Sequence, residues 1–370
     1  MPVNSKLETC TLTTPLNPMI FHKRFSHISE KIFEKLTIKS LQNCREVSKS
    51  WMECIDNQNI LWKKVAKIED GKNILFLCRY GYFKIVEFLI KKTTEFKIDL
   101  RLKDKYGMTA LQYACNQGDV KIFEAILQKS VEINADLNTK DNFGLTAFHW
   151  ACMNGHSKIV EMLIQKSAEY NINLNTTDEH GKTAFYWNCM YGNSKIADML
   201  VQKSAEFNID LNVKDVSGKT AFYGACENGQ SEIAEMLVKK SADFNIDLNA
   251  KDKDGKTALH GAIANKLGKS KIVEMLIKKS AEFNINLNAK DKRGMTAFHT
   301  ACLYGRKSIV EIMIENTNSF KLCFIAKNLD GKTGFQLAKS QRKYDVVNFI
   351  KTKMPNIAYC HILTLEFDAK

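Results

Sequence analysis

Apolar and polar positions alternate in one fixed block along most of the chain. Residues 141–178 show it. A polar turn, Asp141-Asn142-Phe143-Gly144, is followed by the largely apolar run Thr146-Ala147-Phe148-His149-Trp150-Ala151-Cys152 and then by Gly155. A second run, Ser157 to Ile164, sets Ile159, Val160, Leu163 and Ile164 on one face at helical spacing. The stretch Asn171-Ile172-Asn173-Leu174-Asn175 is too rich in Asn to stay helical and leads to the next turn near Asp178. The block predicts two short helices. Thr146 stands where it caps the first, Gly155 ends it, and Gly144 supplies the positive φ of the turn.

The turn glycines Gly107, Gly144, Gly181, Gly218, Gly255, Gly294 and Gly331 set the period, with successive steps of 37, 37, 37, 37, 39 and 37 residues. A two-helix unit cannot bury its apolar face alone, so equal units must stack. The expected fold is an all-α solenoid of about eight helix-turn-helix units, over residues 69–355. The longer step traces to two extra residues near Lys266-Leu267, between the helices of that unit. The end units depart from the block. The first keeps Asp70-Gly71 and Ile85-Val86-Glu87-Phe88-Leu89 but lacks the Thr-Ala pair, and the last has Gly334 and Lys339 where its siblings have Ala and Cys. A terminal unit shows water one face, which accounts for such departures.

The block D-x-x-G-x-T-A-[FL]-[HYQ]-x-A-C-x-x-G-x-x-x-I-V-E-x-L resembles the ankyrin repeat, with Thr-Ala-Phe-His where that family usually has Thr-Pro-Leu-His. Ala at the first helical position is a good helix former and replaces Pro at little cost. The period exceeds the family's ~33 residues by about four. The excess is expected between the second helix and the next turn, in segments such as Lys166-Ser167-Ala168-Glu169-Tyr170. Asn188 stands where siblings have Ala, which predicts a local packing defect or a buried hydrogen bond.

Residues 1–68 do not follow the period. Residues 1–20 read as a flexible tail, and 21–68 as two or three short amphipathic helices. The ordered run Ile32-Phe33, Leu36, then Leu41, Cys44, Val47-Ser48-Lys49 and Trp51, then Leu61-Trp62, resembles an F-box. The family's leading Leu-Pro pair would fall near Arg24-Phe25 and is absent. The resemblance implies docking on the Skp-type adaptor of a cullin–RING ubiquitin ligase. The anchors it implies are Ile28, Ile32, Phe33, Leu36, Leu41, Val47 and Trp51. The repeats would then hold a protein substrate near the ligase, raising the effective concentration of its lysines. The alternative is a plain ankyrin scaffold or inhibitor whose N-terminal helices only cap the stack. Whether the tail 356–370 packs on the last unit stays open.

A net charge of +13 in 370 residues invites a nucleic-acid reading. The lysines, however, spread over every unit, and neither an arginine cluster nor a recognition helix is present, so the charge reads as a solvated surface. Of the 11 cysteines, Cys115, Cys152, Cys189, Cys226 and Cys302 share one slot of the block. Stacked neighbours there sit about 10 Å apart, too far for a disulfide, so they read as small buried residues of a reducing compartment. The expected location is cytoplasmic or nuclear, with no secretory leader in the first residues and no membrane span. His149, His260 and His299 share a slot that elsewhere holds Tyr186, Tyr223, Gln112 and Gln336. That tolerance argues against zinc or proton transfer and for a ring that bridges backbone groups. With no nucleotide, hydrolase or kinase motif, the chain is expected to be a non-enzymatic interaction protein, monomeric in itself and without cofactor.

Ankyrin stacks bind through their turn tips and the open side of the first helix, so the resemblance places the substrate there. The slots vary while the frame stays constant. They hold Tyr106, Phe143, Met153, Asn154, His180, Met190, Tyr191, Arg293 and Tyr304. Phe143, Met153, Met190 and Tyr191 form the densest apolar set. Trp150 and Trp187 share a nearby slot and either join that set or pack between units.

Overall fold

The structure is a computed structural model that describes residues 73–81, 83–91, 98–264, 270–316 and 323–354. The F-box-like anchors Ile28 to Trp51, the Lys266-Leu267 insertion and the C-terminal tail lie outside these residues.

The described residues form eight consecutive helix pairs. They are α1 (Asn73–Tyr80) with α2 (Phe83–Lys91), α3 (Ala110–Gln117) with α4 (Val120–Glu132), α5 (Ala147–Met153) with α6 (Ser157–Gln165), and α7 (Ala184–Tyr191) with α8 (Ser194–Gln202). There follow α9 (Ala221–Asn228) with α10 (Ser231–Lys240), α11 (Ala258–Ala264) with α12 (Ser270–Lys278), α13 (Ala297–Tyr304) with α14 (Lys307–Glu315), and α15 (Gly334–Ser340) with α16 (Tyr344–Lys353). First helices pack on the first helices of neighbouring units and second on second, so two helical layers run along the stack. The core lies between them, where Phe148, Cys152, Ile159, Val160, Leu163 and Ile164 of one unit are all buried. Among the described residues the only extended pairing is a single bridge, Thr177 with Thr183.

Each turn from Gly107 to Gly294 is built around an aspartate, and the Gly331 turn around Asn328. Asp178 Oδ1 accepts from the backbone N–H groups of His180 and Lys182, both at 2.8 Å. The same pair of bonds recurs at Asp141, Asp215, Asp252 and Asp291. Gly181 carries φ +74°, and a Cβ there would fall 3.0 Å from the Val216 nitrogen of the next turn. Successive turns can therefore approach closely enough to bond. Val216 N–H donates to His180 O (2.8 Å), Lys253 to Ser217 O (2.8 Å) and Lys292 to Asp254 O (2.8 Å), one bond per step. The threonine after each turn caps the next helix, as at Thr183, whose hydroxyl accepts from Tyr186 N–H at 3.2 Å.

One further turn follows the second helices α4, α6, α8, α10 and α12. Ser167, Ser204 and Ser280 donate from Oγ to the carbonyl three residues back, each at 2.7 Å. Their own carbonyls accept from Ile172, Ile209 and Ile285 at 2.9 Å, closing the turn. An asparagine then takes the left-handed region at Asn134, Asn171, Asn208, Asn245 and Asn284, with φ 51–52°. That carbonyl is held by an asparagine of the preceding unit. Asn138 Nδ2 donates to Asn171 O (2.8 Å), Asn175 to Asn208 O (2.7 Å) and Asn212 to Asn245 O (2.8 Å). Each donor's Oδ1 also accepts a backbone N–H of that next loop, at 2.7 to 2.9 Å. A lysine row runs beside this ladder. Lys103, Lys140, Lys214, Lys251 and Lys290 each donate from Nζ to a carbonyl 37 or 39 residues on. Part of the positive charge therefore ties units together.

Candidate partner-binding face

The first-helix layer and the turn tips form one face. The link between them is direct: Lys219, just after a turn glycine, reaches the end of its own first helix and pairs with Glu227 at 2.8 Å. Along this face the slot that follows the His/Tyr/Gln position supplies a side-chain donor to three of the turn aspartates. Tyr113 Oη donates to Asp104 (2.6 Å), Trp150 Nε1 to Asp141 (2.9 Å) and Trp187 Nε1 to Asp178 (2.9 Å), all within one unit. In the next two units that slot is Gly224 and Gly261, and a tyrosine ring of the unit before packs against each glycine. The Tyr186 phenol lies near Asp215, and that of Tyr223 near Asp252. Burial, followed by the neighbouring carboxylates, pushes both phenols up.

The histidines fill the same slot as those tyrosines and do backbone work. His149 Nδ1 accepts from Thr146 N–H at 3.2 Å, which leaves Nε2–H to donate to Lys182 O of the next unit at 3.3 Å. His260 and His299 repeat this with Met295 O and Lys332 O. Gln112 makes the same bridge to Leu145 O at 2.8 Å. Burial lowers the His149 pKa from 6.5 to about 4, and lowers His260 and His299 as well. These rings are neutral framework.

The thiols form a buried column. Cys78 joins Cys115, Cys152, Cys189, Cys226 and Cys302, all free, and burial raises each thiol. Asn188 is also buried. Its Nδ2 makes long bonds to Asn193 O (3.3 Å) and Cys152 O (3.5 Å), while its Oδ1 has no partner. The buried hydrogen bond expected there is present, and one side-chain oxygen is left without a partner.

The expected contact residues fall into two groups. Phe143 (59% exposed) and Tyr191 (52%) stand open at neighbouring units, with His180, Asn154 and Arg293 also exposed. Tyr304 is exposed near the Arg306 guanidinium. Met153 and Met190 are half-buried, and Met190 leans on the core. Tyr106 is half-buried with the Arg79 and Lys105 cations each 5.0 Å from its ring centre. Asn154 is held by bonds to Asn116 Oδ1 and Trp150 O. Trp150 and Trp187 are half-buried, their N–H groups spent on the turns. Trp187 also stacks on Tyr191, with centroids 5.7 Å apart and planes at 17°, and Lys182 Nζ lies 4.5 Å from its ring centre. The i, i+4 spacing of Trp187 and Tyr191 in a helix signals this stack in sequence. Val216, 53% exposed at the following turn, extends the apolar edge and lacked any sequence signal beyond its place in the turn.

This is the architecture of a repeat-built binding protein, with a constant frame and variable tips. The chain belongs to the ankyrin repeat family. The family model for ankyrin repeats in three copies matches residues 42–141, 133–215 and 207–288, and that for ankyrin repeats in many copies matches 266–314. A similar solved structure is the crystal structure of the ankyrin repeat domain of Bcl-3, described as a unique member of the IkappaB protein family. It aligns with a TM-score of 0.54 and 22% identity over 66% of this chain and 100% of that one, a likeness of fold. No curated protein matches the chain. Ankyrin repeats are protein-interaction modules, which is the class of function defined here. Among the described residues no helix is long and apolar enough to cross a membrane.

Proposed function

We propose that this chain recruits a protein partner to a ubiquitin ligase. The partner would sit on the turn and first-helix face around Phe143 and Tyr191, and the segment 21–68 would dock on a Skp-type adaptor of a cullin complex. The observation that carries the partner site is the pair of open aromatic side chains beside the Trp187–Tyr191 stack. Large apolar rings in water are typical interface anchors. The adaptor role rests on the F-box-like order of Ile32-Phe33, Leu36, Leu41, Val47 and Trp51. Ubiquitin transfer would be made by the ligase, with this chain supplying proximity.

Titration of purified Skp-type adaptor into the full chain tests the adaptor role. Saturable one-to-one binding, weakened at least tenfold by Phe33→Ala/Trp51→Ala, supports it. A folded full chain that binds no adaptor ends it. One observation favours the plain scaffold as a second reading: the ankyrin match begins at residue 42, inside the F-box-like segment. On that reading residues 21–68 seal the stack, and their removal loosens the first units without touching partner binding.

A further inference from the structure

The charge of the turn tips changes along the binding face, while exposed apolar side chains stand at both ends, with Tyr304 (49%) and Leu329 (78%) on the C-terminal side. Towards the N-terminal side the face offers Phe143, Trp187, Tyr191 and Val216. Towards the C-terminal side, from the Gly255 turn to the Gly294 turn, the exposed tips are Lys253, Asp254, Lys292 and Arg293. The one acid among them, Asp254, is hydrogen-bonded to Lys256 at 3.0 Å. It is held below the usual carboxylate range first by that bond and then by the charges of Lys256, Lys292 and Lys219. Lys253, Lys292 and Arg293 make no salt bridge among the described residues. Unlike the lysine row of the loops, their charges are not tied to carbonyls and remain available.

We propose that this basic end takes an acidic segment of the protein partner, whose apolar anchor sits at the Phe143–Tyr191 end. The proposal rests on the protein-binding reading above and adds the chemistry of the ligand. From the Gly144 turn to the Gly294 turn there are four steps of about 10 Å each. That length of about 40 Å is spanned by about 12 extended residues. One continuous segment can therefore place an apolar side chain at one end and carboxylates at the other. A nucleic acid fits less well, because Glu227, Asp254 and Asp330 interrupt the lysines in the Gly218, Gly255 and Gly331 units and would face its phosphates. Carboxylates of a peptide can be placed between them.

The test is selection of a phage-displayed random 16-residue peptide library on the full chain, followed by titration of the enriched peptides. Two variants are read beside the wild type: Tyr191→Ala and Lys253→Glu/Lys292→Glu/Arg293→Glu. All four positions are exposed, and circular dichroism checks the fold. The proposal expects net-acidic peptides with an aromatic or aliphatic anchor. Each variant should weaken them at least tenfold, and rising salt should weaken them further. Enrichment of neutral or basic peptides lost only with Tyr191→Ala would overturn the acidic assignment and leave the binding reading standing. Peptides indifferent to both variants, or no enrichment, would overturn both. A 16-nucleotide oligo-dT that binds the wild type as tightly as the peptides, and is lost on charge reversal, would overturn it in favour of nucleic acid.

Discussion

The Tyr223 ring lies so close to Gly261 that a Cβ added there would fall 2.8 Å from Cε1 and 2.9 Å from Cζ. The two residues are one device split across neighbouring units. Tyr223 crosses the boundary towards Asp252 and fills the space that the missing side chain at Gly261 leaves open. Tyr186 and Gly224 repeat it at 3.2 Å. Where the slot holds His or Gln, the next unit carries Trp, Thr or Leu: His149 precedes Trp187, Gln112 precedes Trp150, His260 precedes Thr300 and His299 precedes Leu337.

Gly261→Ala is therefore destabilising despite the better helix propensity of Ala. Overpacking of about 1–3 kcal/mol outweighs a propensity gain of about 1 kcal/mol. Gly224→Ala, with its looser contact, is close to neutral. In a double-mutant cycle by denaturant unfolding, Tyr223→His rescues Gly261→Ala with a coupling of about 1 kcal/mol. Additive losses would contradict the device.

Asn188→Ala stabilises the protein. The substitution removes a buried acceptor without partner and restores the residue that siblings such as Ala151 and Ala225 carry. The gain is about 1–2 kcal/mol, read as a higher denaturant midpoint. A loss of stability would mean that the long bonds to Asn193 O and Cys152 O matter more than the orphaned oxygen.

Acid weakens the stack through its buried histidines. His149 titrates near 6.5 when unfolded and about 4 when folded, so the unfolded chain takes up the proton first. The neutral ring's stabilisation is complete above pH 6.5 and is lost as pH falls towards 4. His260 and His299 act in the same direction. His149→Gln copies the bridge that Gln112 makes and does not titrate. Its unfolding midpoint stays near wild type at pH 7.5 and falls less steeply between pH 6.5 and 4. An unchanged slope would contradict the assignment.

Among the seven described cysteines, Cys323 is exposed and the other six are buried with raised pKa values. Iodoacetamide labelling mapped by mass spectrometry should modify Cys323 in the native chain. The six slot cysteines should react only after unfolding.

The helix pairs, threonine caps and thiol column were legible because each is local to a block that recurs with one period. The turn after the second helix is legible because Lys-Ser-Ala-Glu followed by Tyr or Phe recurs there. The Tyr223–Gly261 device is not legible in the sequence, since its two halves lie 38 residues apart and join only once the units are stacked. The cations beside Tyr106, Arg79 from the unit before and Lys105, each 5.0 Å from its ring centre, are likewise joined only in the stack. Trp187 carries two roles, one in the turn and one under Tyr191, which a single slot assignment cannot separate.

The partner face itself is tested most directly by quantitative affinity capture with the full chain against a Phe143→Ala/Tyr191→Ala variant of equal thermal stability. The account predicts at least one protein whose recovery falls tenfold or more with the variant, while recovery of the Skp-type adaptor is unchanged. Identical recovery of every captured protein by the two chains would contradict a partner surface at Phe143 and Tyr191.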